Sequence, residues 1–422
     1  VLDALRMLYA CRGRSRWDAA VLRVFQTRRL QRLVADAYAQ VPLHRRRFAA
    51  AGVAPGDVRT LADLARLPTM PKALLRDTPP GELVAIGVDP AVCDVVRTSG
   101  STGMPLRILR GPREIAWHRV AGLRILRELG FRWSDRTFEI RMEFGPAFFV
   151  QRFGVTPKRW MSMLEDPAEQ VRALVEFRPH VVCATASNLH ELAATALATG
   201  TRVPSLRMVI SDGEPLVPPT RALVARAFGT VPFDVYGLVE LSNFAWECER
   251  HDGLHVSADT HLVEILGDDG PVSPGTPGRI VCTDLVARTM PIVRYETGDW
   301  GALSVDPCPC GRTFPRLVGL AGREGDAVEL PNGRRLHWPY FHETFARHEG
   351  LERYQVIQEA RDRLRIRVLV RPERRASLVE QLRRELTMIV PPALRLEFEP
   401  WEIASHDPTR KLRPVVNLVP RR

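Results

Sequence analysis

Eight consecutive residues, Thr98-Ser99-Gly100-Ser101-Thr102-Gly103-Met104-Pro105, put four hydroxyls and two glycines into one short loop. The stretch before it, Val92 to Val96, is apolar and β-branched apart from Cys93 and Asp94, and reads as a strand. A strand running into such a loop exposes backbone N–H groups in a concave turn. Hydroxyls and N–H groups together suit phosphate oxygens. No Lys-Ser or Lys-Thr pair closes the run, so it is not the Walker loop. Linkers share this composition, and the loop alone therefore assigns no function.

A second constellation is Cys248 and His255 with Cys308-Pro309-Cys310-Gly311 downstream. Three thiols and one imidazole are the donors of a closed, four-coordinate Zn²⁺ site, which would be structural rather than catalytic. His251 competes with His255 for the imidazole position. The seven cysteines are an odd count, and this argues against a disulfide framework.

The elements that would position these groups follow from the hydrophobic pattern. Residues 1 to about 80 are helical in spacing, with Leu22, Phe25, Leu30, Leu33, Val34 and Ala37 on one face. From about 90 to 240, strands (Val181–Ala184, Leu206–Ile210, Val231–Tyr236) alternate with helices (Leu189–Leu197, Thr220–Phe228). This predicts a mostly parallel sheet with ligands at the strand C-terminal ends. From about 254 to 305 short strands are split by Gly and Pro: His255–Leu266, Gly278–Asp284 and Pro291–Thr297. The last part has strands at Tyr354–Gln358, Leu364–Val370 and Leu394–Phe398 and a helix at Ala376–Ile389. The expected fold is α/β: a large N-terminal domain, 1–322, with parallel sheets and a β-rich subdomain, then a small α+β domain, 323–422.

The 422 residues carry a formal charge of +11, and 45% are hydrophobic, as in a globular protein. Of the 60 basic residues all but Lys72, Lys158 and Lys411 are arginine. The arginines are scattered, without the basic–aromatic register of a nucleic-acid binder. Such a charge instead favours anionic partners such as nucleotides, CoA or an acidic carrier protein. No apolar run is long enough to cross a bilayer, and the start of the chain is too charged for a secretory signal. The expectation is a soluble cytoplasmic protein with no membrane partner; a homodimer stays open.

Four further segments match one family, in order. The Thr98–Pro105 loop resembles the phosphate loop of the adenylate-forming superfamily, the acyl- and aryl-CoA ligases and adenylation domains. Asp234-Val235-Tyr236-Gly237-Leu238-Val239-Glu240 is similar to its Tyr-Gly-x-Thr-Glu segment, and Arg294-Tyr295-Glu296-Thr297-Gly298-Asp299 to its Tyr-x-Thr-Gly-Asp segment. Gly322-Arg323, with Asp326 nearby, resembles the hinge, and Arg410-Lys411-Leu412-Arg413 sits where the C-terminal lysine belongs. The runs Leu30–Leu43 and Leu61–Pro68 with Lys72 resemble the phenylacetate-CoA ligase branch, with its CapK-type and coenzyme F390 synthetase-like relatives.

The resemblance implies an AMP-forming ligase: acid and ATP give acyl-AMP, and a thiol, of CoA or of carrier-protein phosphopantetheine, takes the acyl group. Ser99, Gly100, Ser101, Thr102 and Gly103 would hold the β- and γ-phosphates. Gly213-Glu214-Pro215 and Asp234 to Gly237 would line the adenine site, with Tyr236 stacked on the base. Asp299 would take the ribose hydroxyls, Arg323 the ribose or phosphate, and Glu240 a Mg²⁺ ion. Lys411 would bridge the carboxylate and α-phosphate, with Thr102 and Glu240 beside it in catalysis. The branch also includes members with a structural zinc from a set like Cys248, His255, Cys308 and Cys310. Leu106 stands where many relatives carry a loop lysine, Val239 where they carry Thr, and Gly325 at the hinge acid. Loss of the Thr hydroxyl would lower the rate or shift that contact to Ser242. Residues 138–149 and 184–188, with Arg141, Glu143 and His190, are expected around the acid. The alternative is a nucleotidyl-transferring or non-catalytic nucleotide-binding relative acting in polysaccharide or cofactor modification.

Overall fold

The computed structural model describes residues 2–97, 106–142, 156–320, 327–331, 335–337, 341, 344–345, 347–348, 350–401 and 414–419. Contacts gather the chain into two compact units that interleave along the sequence: Val1–Gly130 with Val235–Gly319, and Phe131–Asp234 with Leu320–Arg422.

The first unit joins N-terminal helices to an antiparallel sheet. Its long helix Ala19–Gln40 starts where the Asp18 side chain accepts the Ala20 N–H. It buries Leu30, Leu33, Val34 and Ala37 against Phe48, Leu262, Leu285 and Val293. The apolar face read from the sequence is therefore the one buried. The sheet runs Gly270–Pro271, His261–Gly267, Gly278–Asp284, Tyr295–Leu303, Arg316–Val318, Leu254–Val256, Ser242–Glu247, and is closed by the end of Phe233–Leu238. A separate hairpin pairs Asp94–Arg97 with Arg107–Arg110.

Several predicted strands start late, among them those predicted from Leu206 and Val231, which begin at Met208 and Phe233. Pro90–Val92 is a 3₁₀ turn, and its strand begins at Asp94. The strand predicted from Pro291 begins at Tyr295. Pro291 has no N–H to give a ladder, and Arg294 stands at φ 51°, a left-handed residue that interrupts extension just before Tyr295.

In the second unit Lys158–Ser162, Thr137–Arg141, Val181–Ala184 and Met208–Asp212 form a parallel sheet in that order. Helices Pro167–Phe177, Ala186–Ala198 and Pro218–Phe228 cover it, burying Leu174, Leu189, Leu192 and Val224. Here also lies a four-stranded sheet, Arg395–Pro400, Arg363–Val370, Leu351–Ala360 and Val415–Asn417, packed on helix Pro372–Thr387 through Leu378, Leu382 and Leu386. No helix among the described residues is long and apolar enough to cross a membrane.

The core of the first unit holds one buried charge cluster. Asp259 is wholly buried and pairs with Arg124, and with Arg14 at 3.3 Å. Burial alone would raise its pKa; the two guanidinium groups outweigh it and hold the carboxyl below its ordinary value. A group depressed in this way contributes stability above the unfolded carboxylate pKa and loses it as pH falls through the folded one. Asp259→Asn should cost about 3–5 kcal/mol, because it leaves buried arginines uncompensated. It should also flatten the acid limb of the pH–stability curve; chemical denaturation between about pH 2 and 7 checks both.

Candidate active site

Two of the motif segments meet in the first unit. The Tyr236 hydroxyl donates to Asp299 Oδ2 at 2.6 Å across 63 residues of chain. The ring lies edge-on to Phe244, centroids 5.0 Å apart. Burial and the Asp299 charge push the Tyr236 hydroxyl well above its ordinary range, so it stays a donor. Gly237 is required here. A Cβ on it would come within 2.7 Å of the Asn243 Cα and the Ser242 carbonyl oxygen, where the paired strands shift register. Asp299 follows Gly298, at φ 78°, and its N–H donates to Thr297 Oγ1.

Glu240 is 3% exposed, and its Oε1 accepts from Tyr295 at 2.7 Å and faces Lys72 Nζ at 3.0 Å. Burial works to raise its pKa, but Lys72 and the tyrosine hydroxyl prevail and hold it ionised. No described side chain donates to Oε2, so that oxygen can serve a hard cation. Lys72 is brought there by backbone pairing: Met70 N–H donates to the Arg294 carbonyl, and Glu296 N–H to the Met70 carbonyl. Arg294 itself is structural, forked onto Glu264 at 3.0 Å through both Nε and Nη2. The charge role of Lys72 was not predicted. Its signal was present, since lysine is so rare in this chain that each one marks a place arginine does not fill.

Ser242 has φ 59° and lines a cavity of about 290 Å³ with Arg110 and His118. Arg110 donates to the Val239 carbonyl at 2.7 Å, and His118 Nε2 is 3.4 Å from buried Asp284. Burial lowers the His118 pKa to about 4, so the ring is neutral.

In the second unit, Gly213 takes a left-handed turn after strand Met208–Asp212, and buried Glu214 accepts the Ser187 N–H at 2.9 Å. Glu214 thus fixes the start of helix Ala186–Ala198, and Pro215 follows it. Asp234 is half-buried on Phe233–Leu238. Arg141, expected near the acid, is paired with Asp212 at 2.9 Å. Ser99, Gly100, Ser101, Thr102, Gly103, Glu143, Arg323, Gly325, Asp326 and Lys411 lie outside the described residues.

The thiol–imidazole set does converge. The ligand atoms of Cys248, His255, Cys308 and Cys310 lie within 4.8 Å of one another. The Cys248 and Cys308 sulfurs are 3.7 Å apart, against about 3.8 Å for two vertices of a tetrahedron with 2.3 Å Zn–S bonds. His255 Nδ1 is 3.1 Å from the Phe314 carbonyl and donates to it, which leaves the Nε2 lone pair facing Cys310 at 3.3 Å. His251 is instead paired with Glu247, at 3.0 Å. The chemistry and spacing of the donors therefore fit zinc.

No family model matches the chain. A solved 2-hydroxyisobutyryl-CoA ligase in the postadenylation state superposes with TM-score 0.80 over 96% of this chain and 91% of that one, at 22% identity. A solved anthranilate CoA ligase does so with TM-score 0.59 over 83% and 74%, at 17% identity. The fold is that of the adenylate-forming ligases. The phenylacetate-coenzyme A ligase of Thermus thermophilus is 31% identical over 321 residues, 73% of this chain and 71% of that one. That of Escherichia coli is 28% identical over 399 residues, 87% and 89%. The chain belongs to the phenylacetate-coenzyme A ligase family.

Glu240 links the motifs to the pH response. Lys72→Met or Tyr295→Phe should raise the folded-state pKa of this buried carboxyl. Its stabilisation would then be lost at higher pH on acidification, because a group is protonated earlier once its pKa rises. Thermal unfolding from about pH 2 to 7 should show the acid limb displaced to higher pH in both variants, and an undisplaced limb removes the coupling.

Proposed function

We propose that the protein is an AMP-forming acid–thiol ligase that couples a carboxylic acid to CoA through an acyl-AMP intermediate. The observation that carries this reading is the Tyr236–Asp299 contact, which unites two separate family motifs around one patch. Kinship with phenylacetate-coenzyme A ligases across most of the chain supports it.

On this reading Asp299 accepts the ribose hydroxyls, and Tyr236 holds the carboxylate in place for them while its ring flanks the base. Joining a carboxylate to a phosphate brings two anions together, and the site must offset that repulsion. Lys72 and Lys411 supply point charges that Leu106 does not. Glu240 Oε2 would hold Mg²⁺, which neutralises polyphosphate charge when bound. Ser99 to Gly103 cradle the phosphates, Gly213 to Pro215 and Asp234 flank the adenine, and Arg323 reaches ribose or phosphate. The segment from 323 onward moves between the two half-reactions and carries Lys411. The acceptor is CoA or a carrier-protein phosphopantetheine, and an aryl acid is the expected substrate class. Cys248, His255, Cys308 and Cys310 hold one structural Zn²⁺ that ties strand Leu254–Val256 to the loop between strands Tyr295–Leu303 and Arg316–Val318.

ATP–pyrophosphate exchange across aryl, fatty and amino acids tests the reaction. Wild type should exchange with at least one acid. Lys411→Ala should lose nearly all exchange yet bind ATP almost unchanged; exchange within a few-fold of wild type would remove Lys411 from the chemistry. An acid panel without any exchange, in protein that still binds ATP, would favour a nucleotide-binding relative instead.

Elemental analysis should find about one zinc per chain. Cys308→Ser, Cys310→Ser and His255→Ala should each lose it, and His251→Ala should keep it. Chelation should lower thermal stability before it alters exchange, since closed sites couple metal to folding. Metal-replete wild type without zinc would refute the site.

A further inference from the structure

The loop between strands Tyr295–Leu303 and Arg316–Val318 carries two of the four metal donors, Cys308 and Cys310, yet it forms no helix or strand. Pro307, Pro309 and Pro315 have no N–H to give, and the loop closes a turn on itself from the Gly311 N–H to the Cys308 carbonyl. Such a loop takes its course from what its side chains hold. A metal on the four donors would pin it to strand Leu254–Val256 and to the residues just after strand Ser242–Glu247.

The three residues that follow Gly311 each hold something different. The Phe314 carbonyl accepts from His255 Nδ1 at 3.1 Å. Thr313 holds the segment 14–17: its N–H donates to the Ser15 carbonyl at 2.7 Å, and its hydroxyl to the Trp17 carbonyl at 2.6 Å. Arg312 donates through Nε to Glu128 Oε2 at 3.0 Å, and Glu128 Oε1 accepts the Ser15 hydroxyl at 2.6 Å. The Arg312 guanidinium also lies over Trp246, 5.2 Å from the ring centroid, and the Trp246 and His255 ring centroids are 5.4 Å apart. One short run of chain therefore touches a metal donor on one side and the segment 14–17 on the other. Ser15 is wholly buried, so water does not replace its partners. Arg14 has a separate anchor in Asp259, which does not involve the loop.

We propose that residues 312–314 couple metal occupancy to the seating of the segment 14–17, so that zinc binding holds Ser15 and Trp17 against the loop and helix Pro112–Glu128. This rests on the zinc reading above. The coupling is reciprocal: whatever factor zinc contributes to seating the segment, seating the segment contributes to zinc affinity. The three residues act as positioning groups, and none of them is a metal ligand.

Hydrogen exchange on the full chain, zinc-loaded and after chelation, tests this. The Arg16 and Trp17 amides, which bond the Gly13 and Arg14 carbonyls, report on the segment, and helix Pro372–Thr387 serves as the remote control. Removing zinc should speed exchange at Arg16 and Trp17 about tenfold or more and leave the control helix unchanged. The double variant Ser15→Ala/Thr313→Val keeps all four donors. With zinc bound it should exchange at Arg16 and Trp17 about tenfold faster than wild type, for loss of two side-chain hydrogen bonds, and chelation should add little. Its zinc affinity, measured by competition with a chelator, should fall by a similar factor. If the zinc-loaded double variant protects Arg16 and Trp17 as well as wild type does, the coupling is overturned. It is overturned equally if chelation of wild type speeds exchange around Cys308 but not at Arg16 and Trp17; in both cases the zinc site itself stands. Should chelation also loosen the control helix, the zinc-loaded double variant decides by itself. Metal-replete wild type without zinc overturns both readings, and elemental analysis tells that failure from the others.

Discussion

A carboxylate taken out of water stays charged only if cations or hydrogen-bond donors reach it, and Glu240 shows how much chain that requires. Its oxygen is met by Tyr295 from one strand and by Lys72 from a short N-terminal helix. The lysine is within reach only because Met70 pairs with the backbone flanking Tyr295. That pairing in turn depends on Arg294, whose left-handed backbone and forked contact with Glu264 set where the strand begins. The N-terminal helices are thus bound to the β-rich sheet through one buried charge, and two motifs 55 residues apart become a single patch.

Much of the architecture was legible in the sequence, because period and punctuation are local signals. Leu30, Leu33, Val34 and Ala37 gave a helix face that is buried, and the strand–helix alternation gave a parallel sheet. The strand predicted at Pro291 was displaced to Tyr295 by a proline without an N–H and a residue at positive φ, neither of which hydrophobicity registers. Tyr236 and Asp299 were named separately, but their hydrogen bond was not foreseen, since the register that joins strands lies in no single segment. Lys72 was passed over as a positional match when its rarity was the better clue. The ion pair of Arg141 with Asp212 was hidden for the same reason as the Tyr236 contact.

The cysteine cluster illustrates a different limit. Residue types and spacing gave the donor set but left two histidines in competition. The choice is made by groups outside the motif: the Phe314 carbonyl orients His255, and Glu247 engages His251. The hydrogen-bond partners of the two rings, which lie outside the motif, are what tell them apart. The arginine-rich composition acts similarly. Part of its charge is neutralised in pairs such as Arg312 with Glu128 and Glu249, beside the cluster.

The interleaving of the two units constrains how the chain is made. The first unit is begun by residues up to Gly130 but needs Val235–Gly319 to complete its sheet, with a whole parallel sheet synthesised between. During translation the helix Ala19–Gln40 meets Phe48 and Leu64 early but must wait, its apolar face only partly covered, for Leu262, Leu285 and Val293 to emerge. Contacts so distant in sequence slow folding and lengthen exposure to wrong partners. The polar residues crowding the other faces of that helix, among them Arg23, Arg28, Arg32 and Asp36, would then help to keep the nascent chain dispersed until its partner strands arrive.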